Sequence, residues 1–325
     1  MGTETFAELS DTLFGVAVAV YALAALGFAA ELAFGRPWTR SRPERAEVRA
    51  GGESSVLPPS NGGVPVAARS ARWGRVGVAL TFVGALAQAG VLIGRSVAAG
   101  RVSWGNMYEF STAAVLVGVI AYLVLAMRMP ALRRIGVFVL GPTVIALVLI
   151  GLYLYAESGP LVAVLRSNWL VVHVSAAILS FGVFIVSGVA STLYLVTVRR
   201  ERSSLTTGSR SAGWADRLPT AATLDQVAHR TAIFGFPIWT FAVIAGAIWA
   251  ESTWGRFWGW GPKETWAFIS WALYAAYLHA RTTAGWRGRP AAWTNLVALA
   301  SLVFNLLFVN LVSTGLHSYG GVSLR

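Results

Sequence analysis

The 325 residues include no cysteine, so the chain forms no disulfide and does no thiol chemistry of its own. Any thiol in a reaction it serves must arrive on a substrate or a partner. Charged residues make up 12% of the chain, about half the roughly 25% usual in soluble domains, which excludes an ordinary soluble protein. Lysine and arginine together number 26, and Lys263 is the one lysine. Part of that skew fits a genomic bias, so it singles out Lys263 only weakly. Before the first apolar run lie Glu4, Glu8 and Asp11 and no basic residue. A cleaved signal peptide needs a basic n-region, so that run is expected to be retained.

What is present is apolar. Hydrophobic residues make up 56% of the chain and the mean hydropathy is +0.62. A membrane-spanning helix needs about 20 apolar residues. Runs of about that length cover 12–34, 76–98, 110–127, 133–155, 169–198, 231–250, 264–281 and 291–313. The expected fold class is all-α, a polytopic membrane protein of about eight transmembrane helices. Residues 1–35 read as the first helix. Residues 36–75, rich in Pro, Gly, Ser and Arg and lacking apolar periodicity, read as a disordered cytoplasmic loop. Residues 76–325 read as one membrane domain, with a second cytoplasmic loop at 199–228.

The net charge of +12 would suit nucleic acid, but its distribution gives a different account. Arg36 to Arg75 crowd the first loop, Arg128, Arg133 and Arg134 the third, Arg199 to Arg230 the fifth, and Arg281, Arg287 and Arg289 the seventh. Alternate loops are basic, as the positive-inside rule requires of cytoplasmic ones. The basicity is therefore topological, and no nucleic-acid partner is expected. Both termini and loops two, four and six face outward.

The sixth loop carries Trp254-Gly-Arg-Phe-Trp-Gly-Trp-Gly-Pro-Lys-Glu-Thr-Trp266. Indoles are common at the headgroup level of a membrane, and most Trp-rich loops are no more than such belts. This one, an external loop over 251–266, interleaves Trp254, Trp258, Trp260 and Trp266 with glycine, Arg256, Lys263 and Glu264. Such a segment offers flat π surfaces to a planar apolar ligand and cations to its acidic groups. A porphyrin with two propionates has that shape.

The four histidines sort by depth. His173, near the start of the fifth span, and His317, after the eighth, fall on the outer side with the Trp segment. His279 ends the seventh span and His229 precedes the sixth, both on the inner side. A lone histidine at a helix end is more often an interfacial hydrogen-bonder than a ligand. Two that bracket an aromatic shelf on one face favour bis-imidazole haem ligation over zinc, for which there is neither cysteine nor tight spacing.

With these residues in place the sequence resembles the CcsA (ResC) family of cytochrome c biogenesis proteins, within the haem-handling, tryptophan-rich-motif superfamily. The likeness runs through Gly-Phe-Pro (235–237), Trp249-Ala-Glu-Ser252, the Trp254–Trp260 run, Pro262-Lys-Glu-Thr-Trp266, Tyr277-Leu-His279 and Gly315-Leu-His-Ser-Tyr319. A segment holding Asn106, Tyr108 and Glu109 resembles the family more weakly. The resemblance implies that His173 and His317 are axial ligands of substrate haem (haem b) at the external face, and that His279 binds haem within the membrane. His229 is a possible additional ligand. Trp254, Trp258, Trp260, Trp266, Arg256, Lys263, Glu264 and Asn106 would form the haem shelf and propionate contacts. Implied partners are a ResB/Ccs1-type membrane subunit and apocytochrome c, whose Cys-X-X-Cys-His thiols receive the haem. The implied location is the bacterial plasma membrane. The chain departs from the family at Gly261, where the family motif has aspartate. No catalytic acid or base is assigned.

Three functions compete. The first is a subunit of a cytochrome c synthase that moves or presents haem for thioether attachment. The second is a haem-transfer or chaperone protein that does not complete ligation. The third is a membrane protein with a Trp belt and no haem. Eight spans rather than about six favour the first.

Overall fold

The structure is a computed structural model that describes residues 2–34, 64–160, 165–207, 213–283, 286–313 and 316. Eight long helices follow one another: α1 (Thr3–Phe34), α2 (Val64–Ala99), α3 (Met107–Arg128), α4 (Gly136–Tyr153), α5 (Asn168–Thr207), α6 (Ala221–Trp254), α7 (Pro262–Thr282) and α8 (Arg289–Leu311). Short 3-10 turns at Pro130–Ile135 and Trp214–Arg217 precede α4 and α6, and no strand occurs among the described residues. The protein is all-α and polytopic. Seven helices are long and apolar enough to cross a membrane. The exception is α7, which carries Lys263, Glu264, His279 and Arg281 within its 21 residues.

Several helices extend beyond the apolar runs. α2 begins at Val64, inside the segment expected to be loop, and α5 continues to Thr207 through the exposed residues Arg199, Glu201 and Arg202. Likewise α6 begins at Ala221, so the expected loop 199–228 is largely helix on both sides. Hydropathy reports the membrane-buried part of a helix, whereas backbone hydrogen bonding carries the helix into the polar region. Most of the expected disordered loop, 35–63, lies outside the described residues.

The helices pack in two groups. α1, α2, α3 and α4 surround one core built on Tyr21, Phe28, Tyr122 and Leu140; α5, α6, α7 and α8 meet α3 around Phe184, Trp239, Tyr274 and Leu302. Without a strong hydrophobic drive inside lipid, close approach and interhelical hydrogen bonds hold such groups together. On α2, a Cβ at Gly84 would lie 2.6 Å from the Tyr21 ring. Tyr21 then donates to Gln88 Oε1 at 2.7 Å, and Gln88 donates to the Thr112 carbonyl at 2.8 Å. On α8, Asn295 Nδ2 donates to Ser187 and Ser191 of α5 at 2.8 and 2.7 Å.

One end of the bundle is clamped by buried charge. Glu109 is fully buried in the first turn of α3. Its two oxygens accept from Arg101 at 2.7 and 3.2 Å, from Arg95 at 3.3 Å and from the Gly105 backbone N–H at 2.8 Å. Arg95 also donates to the Ala156 carbonyl, and Arg101 donates to that of Gly159. This network fastens the turn before α3 to the segment after α4.

Candidate functional site: a histidine-bearing cavity at one end of the bundle

The clamped end holds a cavity of about 210 Å³ whose walls come from the turn before α3, the start of α3, the loop between α6 and α7, and α5, α6, α7 and α8. That is smaller than the roughly 300–1,000 Å³ of sites that enclose a drug-sized ligand. Phe257 lines it and is itself 60% exposed, so the rim is open.

His173 stands in the second turn of α5 and lines the cavity. Its Nδ1 lies 2.7 Å from the Ala242 carbonyl oxygen of α6. A carbonyl only accepts, so Nδ1 carries the proton and Nε2 keeps its lone pair. A metal-binding imidazole is oriented in this way, its other nitrogen donating to a fixed acceptor. Trp249 stacks beside the ring, with centroids 6.4 Å apart and planes 10° apart. Gly246 leaves room for it: a Cβ there would lie 2.7 Å from His173 Nδ1 and Cε1. Gly246→Ala is therefore expected to push the imidazole off the Ala242 carbonyl. It should cost about 10–100-fold in ligand affinity, the usual toll of a lost outer-shell partner, as measured by haem titration of purified protein.

The tryptophans that are neighbours in sequence separate in space. Trp258 lines the cavity. Trp254 ends α6 and packs edge-on against Trp249 at 4.8 Å. Trp260 is 65% exposed, at φ 56°, and meets Trp258 and Phe268 edge-on. Trp266 packs on Phe304 of α8 at 4.3 Å. The four indoles expected to make one shelf thus supply one wall residue and three packing contacts. A tight loop at 255–261 and the turn of α7 point successive side chains different ways.

The charged residues of the loop divide similarly. Lys263 and Glu264 line the cavity. Lys263 Nζ donates to Asn310 Oδ1 at 2.5 Å. Glu264 Oε2 accepts from the backbone N–H groups of Gly259 and Gly261 at 2.8 and 3.0 Å and lies 3.8 Å from Arg256. Glu264 therefore shapes the loop from position N3 of α7, with Gly261 as N-cap and Pro262 at N1. The Arg256 guanidinium lies where a Cβ on Gly259 would stand, so it covers the loop backbone rather than the cavity. Gly261, at φ −60°, needs no glycine-specific conformation, and a Cβ there would lie 3.8 Å from Glu264 Oε2. The family aspartate would fit sterically, as a helix N-cap beside a second carboxylate.

Asn106 lines the cavity too, but its Oδ1 caps α3 by accepting from the Glu109 N–H at 2.9 Å. His317 lies outside the described residues. His229 and His279 are at the opposite end, near the start of α6 and the end of α7. The His229 ring meets Tyr277 edge-on at 6.2 Å, and its Nδ1 is buried without a hydrogen bond. His279 is exposed. Beside them Arg281 grips Asp225 through two 2.8 Å hydrogen bonds. Among the described residues no three His, Cys, Asp or Glu side chains gather as a metal site.

Sequence reasoning missed Trp104, Trp239, Gly246, Asn305 and Asn310, which also line the cavity. A signal was available for the asparagines, since polar residues at membrane depth are costly and mark function. For Gly246 there was none, because it meets His173 only through the fold.

Fold and cavity together define a multi-pass membrane protein with the His173 imidazole in a cavity at one end of its helix bundle. The family of cytochrome c assembly proteins matches residues 104–317, a span that begins at the first cavity residue and leaves out α1 and α2. The chain is similar to the cytochrome c biogenesis protein CcsA of Gloeobacter violaceus, 32% identical over 296 residues, covering 76% of this chain and 87% of that protein. It is 34% identical to CcsA of Synechococcus elongatus over 285 residues, covering 75% and 87%. The figure for CcsA of Guillardia theta is 39% over 175 residues, half of this chain and 58% of the relative. The chain belongs to the cytochrome c assembly protein family, and its role lies in cytochrome c maturation.

Proposed function

We propose that the cavity holds substrate haem b by one edge, with His173 Nε2 on the iron and Trp258 against the macrocycle. The haem is presented at the external face of a bacterial plasma membrane for thioether attachment to apocytochrome c. The observation that carries this reading is the His173 Nδ1–H hydrogen bond to the Ala242 carbonyl, which leaves the other ring nitrogen available within a largely apolar cavity. Iron in a haem takes axial imidazole readily, and the aromatic walls suit its plane. His317 is the proposed second axial ligand. His279 is the proposed ligand for haem on the inner side, with His229 beside it and a ResB/Ccs1-type subunit supplying what this chain lacks there.

Catalysis in this reading is mainly positioning. When haem is bound its vinyl groups supply the reacting carbons, and the apocytochrome supplies both thiols. The residues of this chain fix the plane, hold the edge and keep the iron ligated until the incoming histidine replaces a ligand. The competing reading, a chaperone that passes haem on without completing attachment, differs in what happens after binding.

Topology provides the test. Reporter fusions at 199–228 are expected inside and fusions at 251–263 outside, because basic residues concentrate in alternate loops. A cytoplasmic 251–263 would put the cavity on the side away from apocytochrome thiols and end the synthase reading.

A further inference from the structure

The end of the bundle opposite the cavity is held by a second set of charges. Glu31, buried near the end of α1, accepts from Arg133 Nε and Nη2 at 2.8 and 2.6 Å. The 3-10 turn Trp214–Arg217 docks beside this pair. Arg217 Nη1 donates to the Leu32 carbonyl at 2.9 Å, and Arg134 Nη1 donates to the Arg217 carbonyl at 3.3 Å. Arg134 lies within electrostatic range of Glu31, Arg133 and Arg217. Three guanidiniums therefore gather on one carboxylate, because Asp216, the acid of the turn, is taken by Arg200 at 2.9 Å. Trp214, in the same turn, is 44% exposed and packs on Phe138 of α4 at 5.3 Å. Indoles favour the headgroup level of a membrane.

We infer that Arg134 and Arg217 form a subsite for a phosphate group, with Trp214 beside it among the lipid headgroups. A guanidinium is a fork of N–H donors that matches phosphate oxygens. Basic pockets between membrane helices take phosphate-bearing headgroups for this reason. Like charges held close together repel, and Glu31 offsets one of the three. A phosphate offsets the excess and supplies acceptors at the same place. It also spans a seam in the fold. Arg217 belongs to the connection between α5 and α6, whereas Arg134, Glu31 and Leu32 belong to the α1 to α4 group. No haem enters this subsite, which stands apart from the cavity and its ligand.

The test uses the full chain in detergent, with dioleoylphosphatidylglycerol, dioleoylphosphatidylcholine and inorganic phosphate as probes. Native mass spectrometry counts bound lipid, and the thermal midpoint follows its effect. The anionic lipid is expected to bind at least about tenfold more tightly than the zwitterionic one with the same chains, since each of two arginines near an anionic surface adds about fivefold. It should also raise the midpoint. Arg134→Gln and Arg217→Gln should each lose most of that preference. Arg199→Gln and Arg230→Gln, at exposed arginines of the same end, should keep it. Each variant is compared with its own lipid-free midpoint, so a weakened fold does not pass for lost binding. Inorganic phosphate that raises the midpoint as much, and only while Arg134 and Arg217 are present, would identify free phosphate as the source and uphold the subsite. A preference that survives both Arg134→Gln and Arg217→Gln would overturn it. So would one that falls equally in Arg199→Gln and Arg230→Gln, which is the mark of diffuse surface charge.

Discussion

Replacement of His173 by alanine is expected to abolish haem retention and to reduce holocytochrome c formation while leaving the protein in the membrane. The ring packs beside Trp249 at a helix end rather than in the middle of the core, so its removal opens space without stripping a large apolar contact. The loss should exceed the roughly 10–100-fold that follows when only an outer-shell partner of a ligand is removed. Added imidazole should restore part of the activity, because the free base can fill the vacated position against the Ala242 carbonyl. Rescue separates loss of a ligand from loss of fold. Cytochrome c yield in a reporter strain, with and without imidazole, checks it. Full yield without imidazole would remove His173 from the account.

The second large effect falls on stability. Glu109 is fully buried and bears the charge of Arg95, itself 1% exposed, and of Arg101. Removing one partner of a buried ion pair strands the other charge and costs about 3–5 kcal/mol. Glu109→Ala should therefore lower the thermal midpoint of the detergent-solubilised protein sharply. It should also loosen the cavity, because the same carboxylate holds the Gly105 N–H. Glu109→Gln retains hydrogen-bonding capacity but not the charge, and should fall between the two. Tryptophan fluorescence on heating measures the first effect and haem titration the second. A Glu109→Ala protein as stable as the parent would show that Arg95 and Arg101 find enough support in Asp11 and the Ala156 and Gly159 carbonyls.

Which parts of this were legible beforehand follows from what a linear sequence can encode. Eight apolar runs marked eight helices, because lipid imposes length and apolarity segment by segment. α7 was visible as a run even though its polar ends dilute it. The ends of α2, α5 and α6 were not, since past the membrane nothing in hydropathy tells helix from loop. The site divides along the same line. His173 and Lys263 could be named because the chain has only four histidines and one lysine, and Trp258 because it stands in the Trp-rich segment. Their partners Ala242, Gly246 and Asn310 are ordinary membrane-helix residues brought to them by packing, 69 residues away in the case of Ala242. Proximity in sequence does not put Trp254, Trp260 and Trp266 in the cavity wall with Trp258. The loop at 255–261 and the first turn of α7 send the indoles to different contacts. Glu264 lines the cavity, and the Gly-Pro-x-Glu pattern in which it stands is also a helix start, the grammar that its hydrogen bonds to Gly259 and Gly261 follow.

The central claim is that His173 ligates haem iron through Nε2. Low-temperature electron paramagnetic resonance of the ferric protein, purified with its haem, tests this most directly. The expected result is a low-spin bis-imidazole signal in the parent, replaced by a high-spin signal in His173→Ala and regained on adding imidazole. The same low-spin signal in parent and His173→Ala would place the iron on other ligands and contradict the claim.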